Sequence, residues 1–142
     1  MSSTTAPESV LLTRRYSFCC SHRLHSPRLS AAENQELYQE CNNRFGHGHD
    51  YVLEVTFQGT IDPVTGMGSD LAVLDRMVQR EIVERYDHKH LNYDVEDFKG
   101  LVPTGEKIVR AVWERLNKKI PKQKINKLKL IETNNNYFEY YG

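Results

Sequence analysis

The residues best equipped for chemistry are three histidines and one cysteine. His47 and His49 stand two apart in Gly46-His47-Gly48-His49, so extended backbone there puts both imidazoles on one face, as two ligands of one metal require. His22 closes an earlier alternating run and supplies a third ligand. Three neutral imidazoles leave one tetrahedral position open, which is the arrangement of catalytic rather than structural zinc. Alone, the His-Gly-His repeat reads as a polar surface turn; the third histidine is what favours a metal. Gly46 and Gly48 let the backbone fold tightly around the ligands. Asp50 either orients a ligand ring from behind or is a solvated charge at a strand edge.

Cys41 lies close in sequence to these ligands. A divalent cation nearby favours its thiolate and makes it a usable base or nucleophile; otherwise it is a small buried hydrophobe at a helix end. Asp87-His88 pairs a carboxylate with an imidazole, the usual means of orienting a proton carrier, although neighbouring residues often point apart and a charge cluster at a helix end has the same composition. Glu132 is in phase with Leu128 and Leu130, so its carboxylate is expected on the apolar side of a strand, where it needs a donor. A ligand with adjacent N–H groups meets that need bidentately, and so does an arginine of the chain. His25 and His90 read as ordinary polar residues, and Arg14-Arg15 before Ser17 as a solvated strand face.

The elements that must position these groups follow from periodicity. Residues 10–24 alternate Tyr16, Phe18 and Cys20 against Arg15, Ser17 and Cys19, which predicts a strand. Ser30 and Glu33 form a capping box for a short helix with Leu37, Tyr38 and Cys41 on one face and Cys41 at its end. The Asn- and Gly-rich segment 41–48 is a loop, and Tyr51–Gly59 alternates as a second strand. Ser69 or Asp70 caps a helix carrying Leu71, Leu74, Val78 and Ile82, and Thr104 caps another carrying Ile108, Val112, Trp113 and Leu116, stopped by Pro121. Asn126–Thr133 and Asn136–Tyr140 form a hairpin across Asn134-Asn135. The expected fold is α+β in the order ββααββ: a four-stranded antiparallel sheet with two helices on one face, its free edges suited to oligomerisation.

Composition narrows the function classes. The 142 residues carry 19 basic and 19 acidic side chains, so no global field draws the protein to nucleic acid or an anionic membrane. With 39% hydrophobic and 27% charged residues it is an ordinary globular chain. The expectation is a single domain over 1–142, disordered over 1–9, cytoplasmic, with no membrane span or secretory signal. Cys19, Cys20 and Cys41 suggest no disulfide framework, since adjacent cysteines on a strand face opposite ways.

Taken together, Ser21-His22-Arg23-Leu24, Cys41-Asn42-Asn43, Gly46-His47-Gly48-His49, Asp62-Pro63, Thr65-Gly66-Met67, Asp87-His88-Lys89, Thr104 with Glu106, and Glu132-Thr133 resemble the 6-pyruvoyltetrahydropterin synthase family along nearly the whole chain. The long segment between His22 and Cys41 is similar to that of the animal-type branch, and Asp87–Asn92 is similar to the bacterial branch as much. The resemblance implies the tunnelling fold, in which three subunits close a barrel and two trimers stack into a homohexamer with active sites between subunits. It implies a lyase of tetrahydrobiopterin biosynthesis that converts 7,8-dihydroneopterin triphosphate to 6-pyruvoyltetrahydropterin and triphosphate. On this reading Zn2+ is held by His22, His47 and His49, Cys41 abstracts a proton, Asp87 and His88 relay protons, Glu132 anchors the pterin with Thr104 and Glu106, and Mg2+ accompanies the triphosphate. Two departures stand out: Gly105 replaces a hydroxyl residue and Asp50 an asparagine. The rival readings are a 6-carboxytetrahydropterin synthase of the queuosine route and a non-catalytic, zinc-stabilised pterin-binding module.

Overall fold

In a computed structural model the protein is described over residues 8–120 and 124–142. Two long strands dominate: β1 (Ser9–His22) and β2 (His47–Thr60) pair antiparallel along their whole lengths, from Ser9 opposite Thr60 to His22 opposite His47. Between them lie α1 (Ala31–Tyr38) and a 3-10 turn, Gln39–Asn42. After β2 comes α2 (Leu71–Val78), continued through a π turn at Gln79–Val83 into α3 (Glu84–Tyr86). Then follow β3 (Lys89–His90), α4 (Leu91–Asp94), α5 (Gly105–Lys119), β4 (Lys124–Thr133) and β5 (Asn136–Tyr140).

The sheet order is β3-β1-β2-β4-β5. It is therefore five-stranded and mixed, not the four-stranded antiparallel sheet expected: Lys89 and His90 lie parallel to Cys20 and Ser21. A two-residue strand is too short to leave any periodicity in sequence. The four long strands are antiparallel as expected.

Alternation decides which face is covered. Tyr16, Phe18 and Cys20 of β1, Tyr51, Leu53, Val55 and Phe57 of β2, and Leu128 and Leu130 of β4 are buried with Leu74, Val78 and Ile82 and with Ile108, Val112 and Leu116. The opposite face leaves Arg15, Ser17, Cys19 and Asp50 exposed. Asp70 caps α2 by accepting from Val73 N, and Thr104 caps α5 by accepting from Lys107 N. Among the described residues no helix is long and apolar enough to cross a membrane.

Other boundaries shift for local reasons. Ser9 is not frayed: it pairs with Thr60, and the carbonyl of Glu8 accepts from Ile61 N at 2.9 Å. Residues 1–7 and the expected stop at Pro121 lie outside the described residues. The capping box at Ser30 and Glu33 forms, but α1 ends before Cys41 because Gln39 takes a φ of 52°. Nor does α1 dock through an apolar face. Leu37 is 63% exposed, and the buried residue is Asn34, whose amide donates to the carbonyls of Ser26, Leu29 and Ser30. Cys41 falls in the 3-10 turn instead.

Leu74 is fully buried in α2, on an element that contributes no candidate site residue. Leu74→Ala is expected to cost about 2–5 kcal/mol of stability by removing buried methyl groups and leaving a cavity. Denaturant unfolding checks this, with metal content per folded chain unchanged.

Candidate metal centre and active site

The β1–β2 register builds the centre. His22 lies opposite His47 and Cys20 opposite His49, so all three histidines project on the covered face at one end of the sheet. One ring nitrogen from each lies within 4.8 Å of the others, placing them to bind a metal ion. His22 is 1% exposed, and its Nδ1 lies 2.8 Å from the carbonyl oxygen of Pro103. That carbonyl can only accept, so Nδ1 carries the proton in the neutral ring and the Nε2 lone pair is free to ligate. His22 Nε2 faces His47 Nε2 at 3.1 Å, and His49 Nε2 is buried with no hydrogen-bond partner among the described residues. A buried ring nitrogen without a partner and two others turned toward each other fit a cation at their focus.

Burial, opposed by the Pro103 carbonyl and helped by His47, pushes His22 down to about 4. His47 is lowered as well, by burial and by His49. Both rings are thus neutral, as ligands must be.

Gly46 has a φ of 79° and lies so close to His22 that a Cβ would come within 2.8 Å of the His22 carbonyl oxygen. The tight fold expected around the ligands rests on this glycine. At Gly48 a Cβ would meet nothing nearer than 3.5 Å, an ordinary contact. Asp50, one residue out of phase with His49, is exposed on the open face opposite Cys19, and among the described residues it hydrogen-bonds no ligand ring.

Cys41 is half-buried and tied to the end of β1. Its carbonyl accepts from Leu24 N at 2.9 Å, and the Asn42 amide donates to Leu24 O at 2.8 Å. Burial and the charges of Glu132 and Glu40 push its thiol up, so in the metal-free protein it is a poor thiolate. Glu132, at the end of β4, is near enough for its charge to act on His22, His47 and Cys41. Its oxygens accept from Tyr51 Oη and Asn136 Nδ2, each at 3.2 Å, rather than from an arginine.

The remaining candidates do not join this cluster within one chain. Asp87 and His88 sit on the β1 edge: Asp87 accepts from Cys19 N at 2.8 Å and from His88 Nδ1 at 2.9 Å, and His88, with a φ of 60°, turns its side chain outward to 82% exposure. The Cys19 amide and His88 hold the Asp87 carboxyl below its ordinary range. Thr104 caps α5 next to the Pro103 carbonyl that holds His22. Glu106 is exposed and lines a hollow of about 500 Å³ with Phe138 and Tyr140. A Cβ on Gly105 would meet the Phe138 ring at 2.0 Å, so the ring fills the space a side chain there would need.

Sequence reasoning missed the Pro103 carbonyl, Asn42 and Tyr51. A backbone carbonyl leaves no sequence signal, but Tyr51 is in phase with His49, and the same alternation that placed the ligands could have flagged it.

Together these features define an α+β protein with three histidines placed to hold a metal ion, a carboxylate whose charge reaches them, and a half-buried thiol that feels the same carboxylate. A family model described as 6-pyruvoyl tetrahydropterin synthase matches residues 11–142. The human 6-pyruvoyl tetrahydrobiopterin synthase is 44% identical over 131 residues, 92% of this chain and 90% of that protein; the Drosophila melanogaster one is 41% identical over 134 residues, 94% and 80%. The structure of Caenorhabditis elegans 6-pyruvoyl tetrahydropterin synthase superposes with a TM-score of 0.89 at 38% identity, covering 98% of this chain and 99% of that one. The chain belongs to the 6-pyruvoyl tetrahydropterin synthase family.

An unfolded histidine titrates near 6.5 and folded His22 near 4. Between these values the unfolded chain binds a proton that the folded one refuses. Stability of the metal-free protein therefore falls as pH drops from about 6.5 to about 4, by about 3 kcal/mol from this group, and the contribution levels off below. The urea midpoint of metal-free His22→Asn is expected to fall less steeply across that window than the parent's.

Proposed function

We propose that this chain converts 7,8-dihydroneopterin triphosphate to 6-pyruvoyltetrahydropterin with release of inorganic triphosphate, as a zinc-dependent lyase of tetrahydrobiopterin biosynthesis in the cytoplasm. The observation that carries the reading is the convergence of three imidazoles, one with its tautomer set by the Pro103 carbonyl, within reach of the Glu132 charge that also acts on Cys41, in a member of this family. Three nitrogen ligands with a fourth position left for substrate suit zinc.

A bound ion supplies Lewis-acid polarisation of the substrate's side-chain hydroxyls. Glu132 receives the N–H edge of the pterin on its two oxygens, with Thr104 and Glu106 completing the pterin contacts. Cys41 takes a proton from the substrate side chain as thiolate. Its raised pKa in the metal-free protein means that this form depends on a cation nearby. Asp87 holds His88 by its Nδ1, and the outward imidazole exchanges protons during the internal redox shift and the elimination. Mg2+ travels with the substrate triphosphate.

Because His88 points away from its own chain's cluster, the proposed site is shared: Cys41 comes from one subunit and Asp87-His88 from a neighbour in a homohexamer. The exposed edge position of His88 supports this, as do the free edges of β3 and β5 in the isolated sheet.

Incubation of zinc-loaded protein with 7,8-dihydroneopterin triphosphate is expected to yield triphosphate and 6-pyruvoyltetrahydropterin by mass spectrometry, and Cys41→Ala is expected to lose at least about a hundredfold in kcat. A 6-carboxy product reassigns the branch, and no turnover by the parent reduces the protein to a metal-binding module. Mixed assembly offers a second test. Cys41→Ala and His88→Ala are each expected to be inactive, yet refolded together in equal amounts they should recover about one quarter of parental activity, since random mixing completes that share of two-subunit sites. No recovery places all three residues in one chain's site.

A further inference from the structure

Tyr51 is fully buried, two residues along β2 from His49 and on the same face. Its ring stacks on Phe18 with centroids 5.5 Å apart and presents itself to His49 at 5.4 Å and to His22 at 6.3 Å. At the far end of this ring the hydroxyl donates to Glu132 Oε2 at 3.2 Å and has no other partner among the described residues. Facing a carboxylate oxygen, which can only accept, the hydroxyl is the donor of this pair.

We propose that Tyr51 is a positioning residue that presets the Glu132 carboxylate for the pterin. The inference rests on the reading of Glu132 as the pterin anchor. Glu132 lies two residues before a turn and has three side-chain torsions of its own. With Tyr51 on one oxygen and Asn136 on the other, the carboxylate plane is held while each oxygen keeps a lone pair for a ligand N–H. The ring that fixes Glu132 also packs against two of the candidate metal ligands. One rigid side chain thereby sets the spacing between the pterin edge at Glu132 and the side-chain hydroxyls at the metal, and a substrate spanning both points needs that spacing held.

The test is a double-mutant cycle on zinc-loaded protein with 7,8-dihydroneopterin triphosphate, using Tyr51→Phe, Glu132→Ala and the double variant, with zinc content and melting temperature measured on each. Tyr51→Phe keeps the aromatic packing and removes only the hydroxyl. It is expected to keep its zinc, to raise KM about five- to tenfold with kcat within about twofold, and to add less than about twofold in the Glu132→Ala background. An unchanged KM in Tyr51→Phe, or an equal rise with and without Glu132, overturns the inference, as does a KM rise that tracks loss of zinc. If Glu132→Ala itself leaves KM unchanged, the anchor reading fails first and takes the inference with it; a rise in Glu132→Ala alone defeats only the role of Tyr51. Should Tyr51→Phe fold poorly, Asn136→Ala acts on the other oxygen from an exposed position. It is expected to raise KM only while Glu132 is present; no rise overturns the two-sided hold.

Discussion

The pairing register of β1 with β2 is the constraint on which the rest depends. With His22 opposite His47 and Cys20 opposite His49, one face of one sheet end collects three imidazoles, and the same face further along collects the aromatic and aliphatic core. A slip of one residue in β2 would turn Tyr51, Leu53, Val55 and Phe57 outward together with both histidines. The apolar residues that stabilise the fold therefore also guarantee the geometry of the centre. Few devices are needed at the centre itself: a backbone carbonyl to choose the His22 tautomer and a glycine to let residue 46 pass close to β1.

The cluster has an electrostatic cost that the surrounding fold carries. His22 is buried as a neutral ring, Glu132 brings a negative charge nearby, and Cys41 is kept from ionising by both burial and that charge. A cation held by His22, His47 and His49 would relieve these together, since it would take the ring lone pairs, offset the Glu132 charge and favour the thiolate. The side chains of the centre supply lone pairs and a carboxylate but no positive charge of their own, which suits them to a cation.

Most of this was legible wherever period-two alternation runs long. It placed His22, His47 and His49 on one face, buried Tyr16 and Phe18, and separated Cys19 from Cys20. The caps at Ser30, Asp70 and Thr104 are local chemistry and were also readable. What was lost had no local signature. β3 is two residues long, Gln39 breaks α1 by a backbone angle that its side chain does not announce, and α1 packs by the polar Asn34 where an apolar stripe was sought. For Asp50 the needed rule was available, because a residue adjacent to an inward histidine on a strand points outward.

The contact between Gly105 and Phe138 ties two positions that are far apart in sequence. Since the Phe138 ring occupies the space a side chain at 105 would need, the two residues share one volume. A hydroxyl residue grafted at 105 has to turn that ring aside, toward the hollow it lines with Glu106 and Tyr140, so a change at the start of α5 is felt first as a rearrangement of the edge strand β5.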